Sequence, residues 1–173
     1  MNQDQIFPTS EQKEKILDAV FYEIEQLLFA CSYKSGIINV DNALLESTLL
    51  HSRVLLDFYE KSKRRTRRKG KQTIEMDDVL AEDFDFQARV IQIPINDRAR
   101  LNKDLAHITY SRTSRSLGDK LWDYKQVVFP ILQRSKEFLE HLKGNWIRED
   151  DVNSIRACGI LIIKIDERLH GII

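Results

Sequence analysis

Glycine, proline and cysteine are scarce in this chain of 173 residues: it holds six, three and two of them. An all-β fold needs turn residues in quantity, so their scarcity points to helices. The glycines stand singly. No G-x-x-x-x-G-K-S/T, G-x-G-x-x-G or G-x-S-x-G string occurs, which excludes a phosphate-cradling loop and a nucleophile elbow. Cys31 and Cys158 lie in apolar surroundings and outside any C-x-x-C pair, which argues against a disulfide framework and a structural zinc. His51, His107, His141 and His170 include no pair at metal-ligand spacing on one helix face, so neither a metal nor a cofactor is expected. Net charge is also lacking: 27 basic residues balance 27 acidic ones, leaving no global field to draw the protein onto nucleic acid or membrane. The longest apolar run, Ile160–Ile163, is far too short to span a bilayer, and MNQDQIFPTSEQKE has no secretory pattern. The expectation is a cytoplasmic protein.

What is present is 42% hydrophobic and 31% charged residues, the composition of a single globular domain able to bury a core. After a loose leader ending at Pro8, Thr9 and Gln12 make a capping box that starts a helix. Ile16, Leu17, Val20, Phe21, Ile24, Leu27, Leu28 and Cys31 form its apolar stripe, and Ser35-Gly36 ends it. Asp41 is expected to cap a second helix reaching about Lys63, with Leu44, Leu45, Thr48, Leu49, Leu55, Leu56 and Tyr59 as core face. A further stripe, Leu50, Val54 and Phe58, runs along another side and leaves only Glu46, Arg53, Asp57 and Glu60 clearly wet. Such a helix belongs in the middle of a fold or in a subunit interface.

Residues 61–71, KSKRRTRRKGK, carry eight basic residues in eleven, and residues 75–85 carry six acidic ones. Without apolar period and interrupted by Gly70, residues 61–85 read as a charged loop. Arg64, Arg65, Arg67 and Arg68 are candidate contacts to a nucleic-acid backbone; a solvated loop paired with the acidic segment is the equal alternative. Residues 86–95 read as an extended connection or a short edge strand containing Pro94. A long helix over about Lys120–Lys143 keeps one stripe across Pro130, so a kink is expected there and a stop at Gly144. In the C-terminal extension, residues 145–173, Asp150 or Asp151 caps a helix over residues 152–169 that turns Val152, Ile155, Ile162 and Ile163 inward, although Gly159–Ile165 is equally strand-like.

The stretch with chemistry in it is Asp97–Arg112, DRARLNKDLAHITYSR, followed by a polar loop around Gly118. As a helix it turns Leu101, Leu105 and Ile108 to the core. Arg100 and His107, two turns apart, lie nearly in line on the adjacent polar stripe with Asp104, Ser111 and Lys103. A guanidinium and an imidazole on one helical edge suit a phosphodiester; the alternative is a solvated face that happens to carry a histidine. His51 sits at the border of the second helix's core face, either as a hydrogen-bonded core-edge group or approaching Arg100 and His107. His141 and His170 read as surface residues near helix ends.

The segment Leu44–Leu142 resembles the HEPN superfamily, the higher eukaryotes and prokaryotes nucleotide-binding domain, particularly its abortive-infection-type bacterial members. The resemblance rests on LLESTLLHSRVLLDFYEK, DDVLAEDFD, RARLNKDLAHITYSR and a last long helix ending FLEHL. It implies an all-α fold, an antiparallel bundle of four to five main helices, over about residues 41–143. It also implies a homodimer whose activity is metal-independent RNA cleavage of the toxin or phage-defence kind, with RNA, a cognate antitoxin or a nucleotidyltransferase as partner. The family's Arg and His, with four to six residues between them, correspond to Arg100 and His107, which have six between, with Asn102 and Tyr110 as further substrate-positioning candidates. Where the family commonly has a small polar residue after the Arg, this chain has Leu101, and Asn102 follows one place later. A non-catalytic module that binds RNA, a nucleotide or a protein, and a structural helical dimer, remain as alternatives.

Overall fold

The computed structural model describes residues 8–64, 66–69, 72–75, 77–103 and 122–171, the two strands and Lys103 by their backbone alone. Five α-helices make up most of it: α1 Ser10–Ser32, α2 Ile38–Glu60, α3 Ile95–Lys103, α4 Tyr124–His141 and α5 Val152–Leu169. A two-stranded antiparallel hairpin, β1 Thr66–Lys69 with β2 Gln72–Glu75, and a short 3-10 turn, Ala81–Phe84, stand between α2 and α3.

Residue contacts give the helix directions. Glu23 meets His51, so α1 and α2 are antiparallel across the short turn that joins them. Lys136 meets Asp166 and Lys143 approaches Gly159, which makes α4 and α5 antiparallel. Tyr124 lies against Thr48 and Phe138 against Phe58, so α2 and α4 run the same way. Lys164 to Glu25 and Arg168 to Cys31 make α1 and α5 parallel too. The result is a four-helix bundle in which sequential partners are antiparallel and one long crossover, residues 61–123, carries the chain from the end of α2 back to the start of α4. α3 lies in that crossover.

Local chemistry accounts for the helix boundaries. Thr9 Oγ1 accepts from Gln12 N while Gln12 returns a bond to Thr9 N, the expected capping box. Asp123 and Asp151 cap α4 and α5 with their carboxylates. Asp41 differs from expectation: α2 begins at Ile38 with no side-chain cap, because the Asp41 carboxylate turns back to the N–H and hydroxyl of Ser35. α2 also stops at Glu60, before Lys63. Gly144 does not terminate α4, which runs on into a π-turn, Leu142–Trp146, closed by Ile147 N bonding Leu142 O. Pro130 lies within α4, and its stripe stays in phase across it: Val127, Val128, Ile131, Leu132, Phe138 and Leu139 are all buried.

One core joins the helices. Ile24 and Leu27 of α1, Leu55 of α2, Leu101 of α3 and Ile165 of α5 are among its fully buried members. The tail is therefore a bundle helix and no strand. Its inward face is centred on Cys158, Leu161 and Ile165; of the expected set Ile162 packs against the core, while Val152 and Ile163 face outward. The i, i+3, i+7 spacing of Cys158, Leu161 and Ile165 sets that face. At one end of the bundle Phe58, Tyr59, Phe84, Phe86 and Phe138 meet edge to face, with Phe138 5.2 Å from Phe58 and 5.3 Å from Phe86 between centroids. Phe58 thus belongs to the core, while Leu50 and Val54 of the same stripe remain exposed.

The charged segment after α2 is not a plain loop. Register Thr66↔Glu75 through Lys69↔Gln72 makes a hairpin of it, and the 3-10 turn follows. Residues 86–94 form no strand. Arg89 N bonds Tyr59 O and Ile91 N bonds the Glu60 carboxylate, which ties the connection to the end of α2 and uses donors a sheet would have used.

Candidate functional site: the Arg100 edge of α3

α3 starts two residues before the expected Asp97, at Ile95, and the structure describes it as far as Lys103. His107 and Tyr110 lie outside the described residues, as do Asp104, Ser111, Arg65 and the loop around Gly118.

α3 is anchored by one carboxylate. Glu60, the last residue of α2, accepts from both terminal nitrogens of Arg98, at 2.6 and 2.8 Å, and from Ile91 N at 2.7 Å. Arg98 also donates to Ile91 O at 2.5 Å. Hydrogen bonding to Glu60 raises the Arg98 guanidinium above its ordinary value. Glu60, expected to be wet, is therefore the joint between α2, the connection and α3. Next to the clamp Leu101 is fully buried, so the α3 backbone is held from the polar and the apolar side at once.

Arg100 sits on that held backbone. Its guanidinium carbon lies 3.8 Å above the Trp122 ring, and Nη1 donates to Asp97 Oδ1 at 2.9 Å, one turn back on α3. The arginine side chain is 12% exposed and that of Asp97 18%, so stacking and ion pair together pin the fork against the core. Asn102, two residues on, faces solvent.

The remaining candidates go elsewhere. His51 Nδ1 bonds Glu23 Oε2 at 2.7 Å and meets the edge of Tyr22, so its visible partners are on α1 and not on α3. Arg64 Nη2 pairs with Asp83 Oδ1 at 2.5 Å and its Nε donates to Asp78 O, a strut from the end of α2 to the 3-10 turn. Arg67 and Arg68 are consecutive residues of β1. His141 is not the surface residue expected: its Nε2 donates to Phe84 O at 2.9 Å and its ring packs on Phe86. His170 is exposed and bonds Asp166 O.

Two elements carry no signal in a one-dimensional reading. Trp122 precedes α4 by two residues and gives no hint of a guanidinium above it. Arg134 is buried over Phe86 at 3.9 Å, pairs with Glu137 and donates to Gln87 O. Among the described residues no cluster of His, Cys, Asp and Glu is arranged to hold a metal ion, and no helix is long and apolar enough to cross a membrane. Comparison of the chain with protein-family models, with characterised proteins and with solved structures gave no match.

Proposed function

We propose that this chain is a HEPN-like RNA-binding protein that acts as a homodimer and cleaves RNA without a metal, with Arg100 and His107 as its working pair. The observation that carries the reading is the seat of Arg100. Its guanidinium carbon lies 3.8 Å over the Trp122 ring, on a helix clamped by Glu60 and rooted by Leu101, so the fork is held before any phosphate arrives. A scissile phosphate takes the place of Asp97 on Arg100, and the guanidinium stabilises the charge that grows on its oxygens. His107 of one protomer accepts the ribose 2′-OH proton as that oxygen attacks phosphorus. The partner's His107 gives a proton to the departing 5′-oxygen, leaving a 2′,3′-cyclic phosphate and a 5′-hydroxyl. The run containing Arg67, Arg68 and Lys69 supplies backbone contacts that are lost as salt rises.

One observation favours a second reading, a HEPN-like module that binds RNA without cutting it. Arg100 is already paired with Asp97 and mostly covered, and the small polar residue after the motif arginine is replaced by a buried leucine.

Incubating single-stranded RNA with wild-type protein, His107→Ala and Arg100→Lys in excess EDTA decides between them. Cleavage by wild type alone, with binding kept by His107→Ala, supports the first reading. Binding that weakens between 50 and 200 mM salt without cleavage by any form supports the second. Neither binding nor cleavage rejects both.

A further inference from the structure

On the face formed by α1 and α2 there is an apolar groove of about 300 Å³. One wall is Ile16, Ala19, Val20 and Glu23, spaced i, i+3, i+4 and i+7 along α1. The other is Val54, Asp57 and Phe58 of α2 with Lys61 just past its end, at the same spacing in sequence, and residues 78–80 close one end. Seven residues of helix span about 10 Å, so each wall offers two turns of ridge against which another helix can lay its own i, i+3/i+4, i+7 row. The volume is at the low end for a ligand cleft, at roughly 300 Å³, which suits one or two inserted side chains better than a sizeable cofactor.

The ionisable lining is three carboxylates, Glu23, Asp57 and Asp78, to one ammonium, Lys61, and Lys61 already pairs with Asp57 at 2.6 Å. His51 beside the rim is paired with Glu23. A nucleic-acid backbone meets repulsion at such a rim, and so does an acidic peptide. Val54 stays 39% exposed beside the groove, and half-exposed Tyr22 and Leu50 extend the apolar strip.

We infer that this groove is a docking site for a basic amphipathic helix of a partner protein, which inserts one bulky apolar side chain between Ala19 and Val54 and sets Lys or Arg residues against Glu23 and Asp57. The site is independent of the Arg100 edge on α3, and its occupant differs in kind from RNA.

The test uses two synthetic helical peptides of about 14 residues with the same Leu and Phe row, one flanked by lysines and one by glutamates. Binding is read by fluorescence anisotropy and located by backbone amide shifts. The lysine peptide should bind at least tenfold more tightly than the glutamate peptide and shift amides of residues 16–23 and 54–61. Val54→Arg, an exposed position whose substitution leaves the circular dichroism spectrum unchanged, should abolish binding. Equal affinity for both peptides, shifts confined elsewhere, or undiminished binding by Val54→Arg overturns the inference. So does a concentration-dependent dimer dispersed by Val54→Arg, because the groove is then filled by a second copy of this chain.

Discussion

Replacing Glu60 by alanine should destabilise the fold far more than its place at the end of a helix suggests. The carboxylate accepts three hydrogen bonds, two from Arg98 and one from Ile91 N, and its side chain is 16% exposed. Losing a charge-assisted pair costs about 1.5–3 kcal/mol, and leaving the Ile91 amide without its acceptor adds about 1 kcal/mol or more. Arg98 is 28% exposed and rehydrates in part, which trims the total to about 2–3 kcal/mol. For a domain of this size that corresponds to a fall of roughly 5–10 °C in Tm. Glu60→Gln keeps an oxygen for the Ile91 amide and loses only the charge, so about half the effect is expected. Lys15→Ala, which breaks an ion pair 75% exposed on both sides, should cost under about 0.5 kcal/mol. Urea unfolding followed by far-ultraviolet circular dichroism at pH 7 measures all three. If Glu60→Ala is no worse than Lys15→Ala, the clamp does not hold α3.

Leu101→Ala removes a fully buried side chain and should cost about 2–5 kcal/mol in the same assay, whereas Asn102→Ala beside it should stay within about 0.5 kcal/mol. Hydrogen bonds from Ser154 hold the Asp151 carboxyl below its ordinary value, and those from Ser35 do the same for Asp41. Because the folded value is the lower one, their stabilisation is complete above about pH 4 and disappears as pH falls through the folded value. Wild type and the Asp41→Asn, Asp151→Asn double variant should therefore converge in urea midpoint between pH 5 and pH 2.5, and a constant gap would contradict the assignment. Burial pushes the Cys158 thiol up to about 11 and raises Cys31 as well. Neither should react with a disulfide reagent at pH 8 until urea unfolds the chain; prompt labelling of the native protein would show that the core around them is open.

Much of the bundle is legible in the sequence because its signals are local or periodic. The Thr9 capping box, the stripe of α1, the stripe of α4 across Pro130 and the helical reading of the tail all rest on neighbours three or four residues apart. What the chain hides is whatever a distant partner decides. Asp41 has the right residue type for a cap, yet Ser35 takes its carboxylate. The phase of α5 slips because its apolar positions nearly encircle it, and only packing on α1 and α4 selects Cys158, Leu161 and Ile165. The hairpin at 66–75 had a cue in its two-residue Gly70-Lys71 spacing, masked by the density of charge around it. At the candidate site, Arg100 stands out by type and position. Its pair with Asp97, one turn back, is local, but that it lies on Trp122, more than twenty residues on, is something no periodicity reports.

The central claim is that Arg100 and His107 cut RNA without a metal, and end-group analysis of the products tests it most directly. Wild-type protein in EDTA should release fragments with 5′-hydroxyl and 2′,3′-cyclic phosphate ends, and His107→Ala should release none while keeping its fold and its RNA affinity. RNA left intact by the wild type, or equal cleavage by His107→Ala, would contradict it.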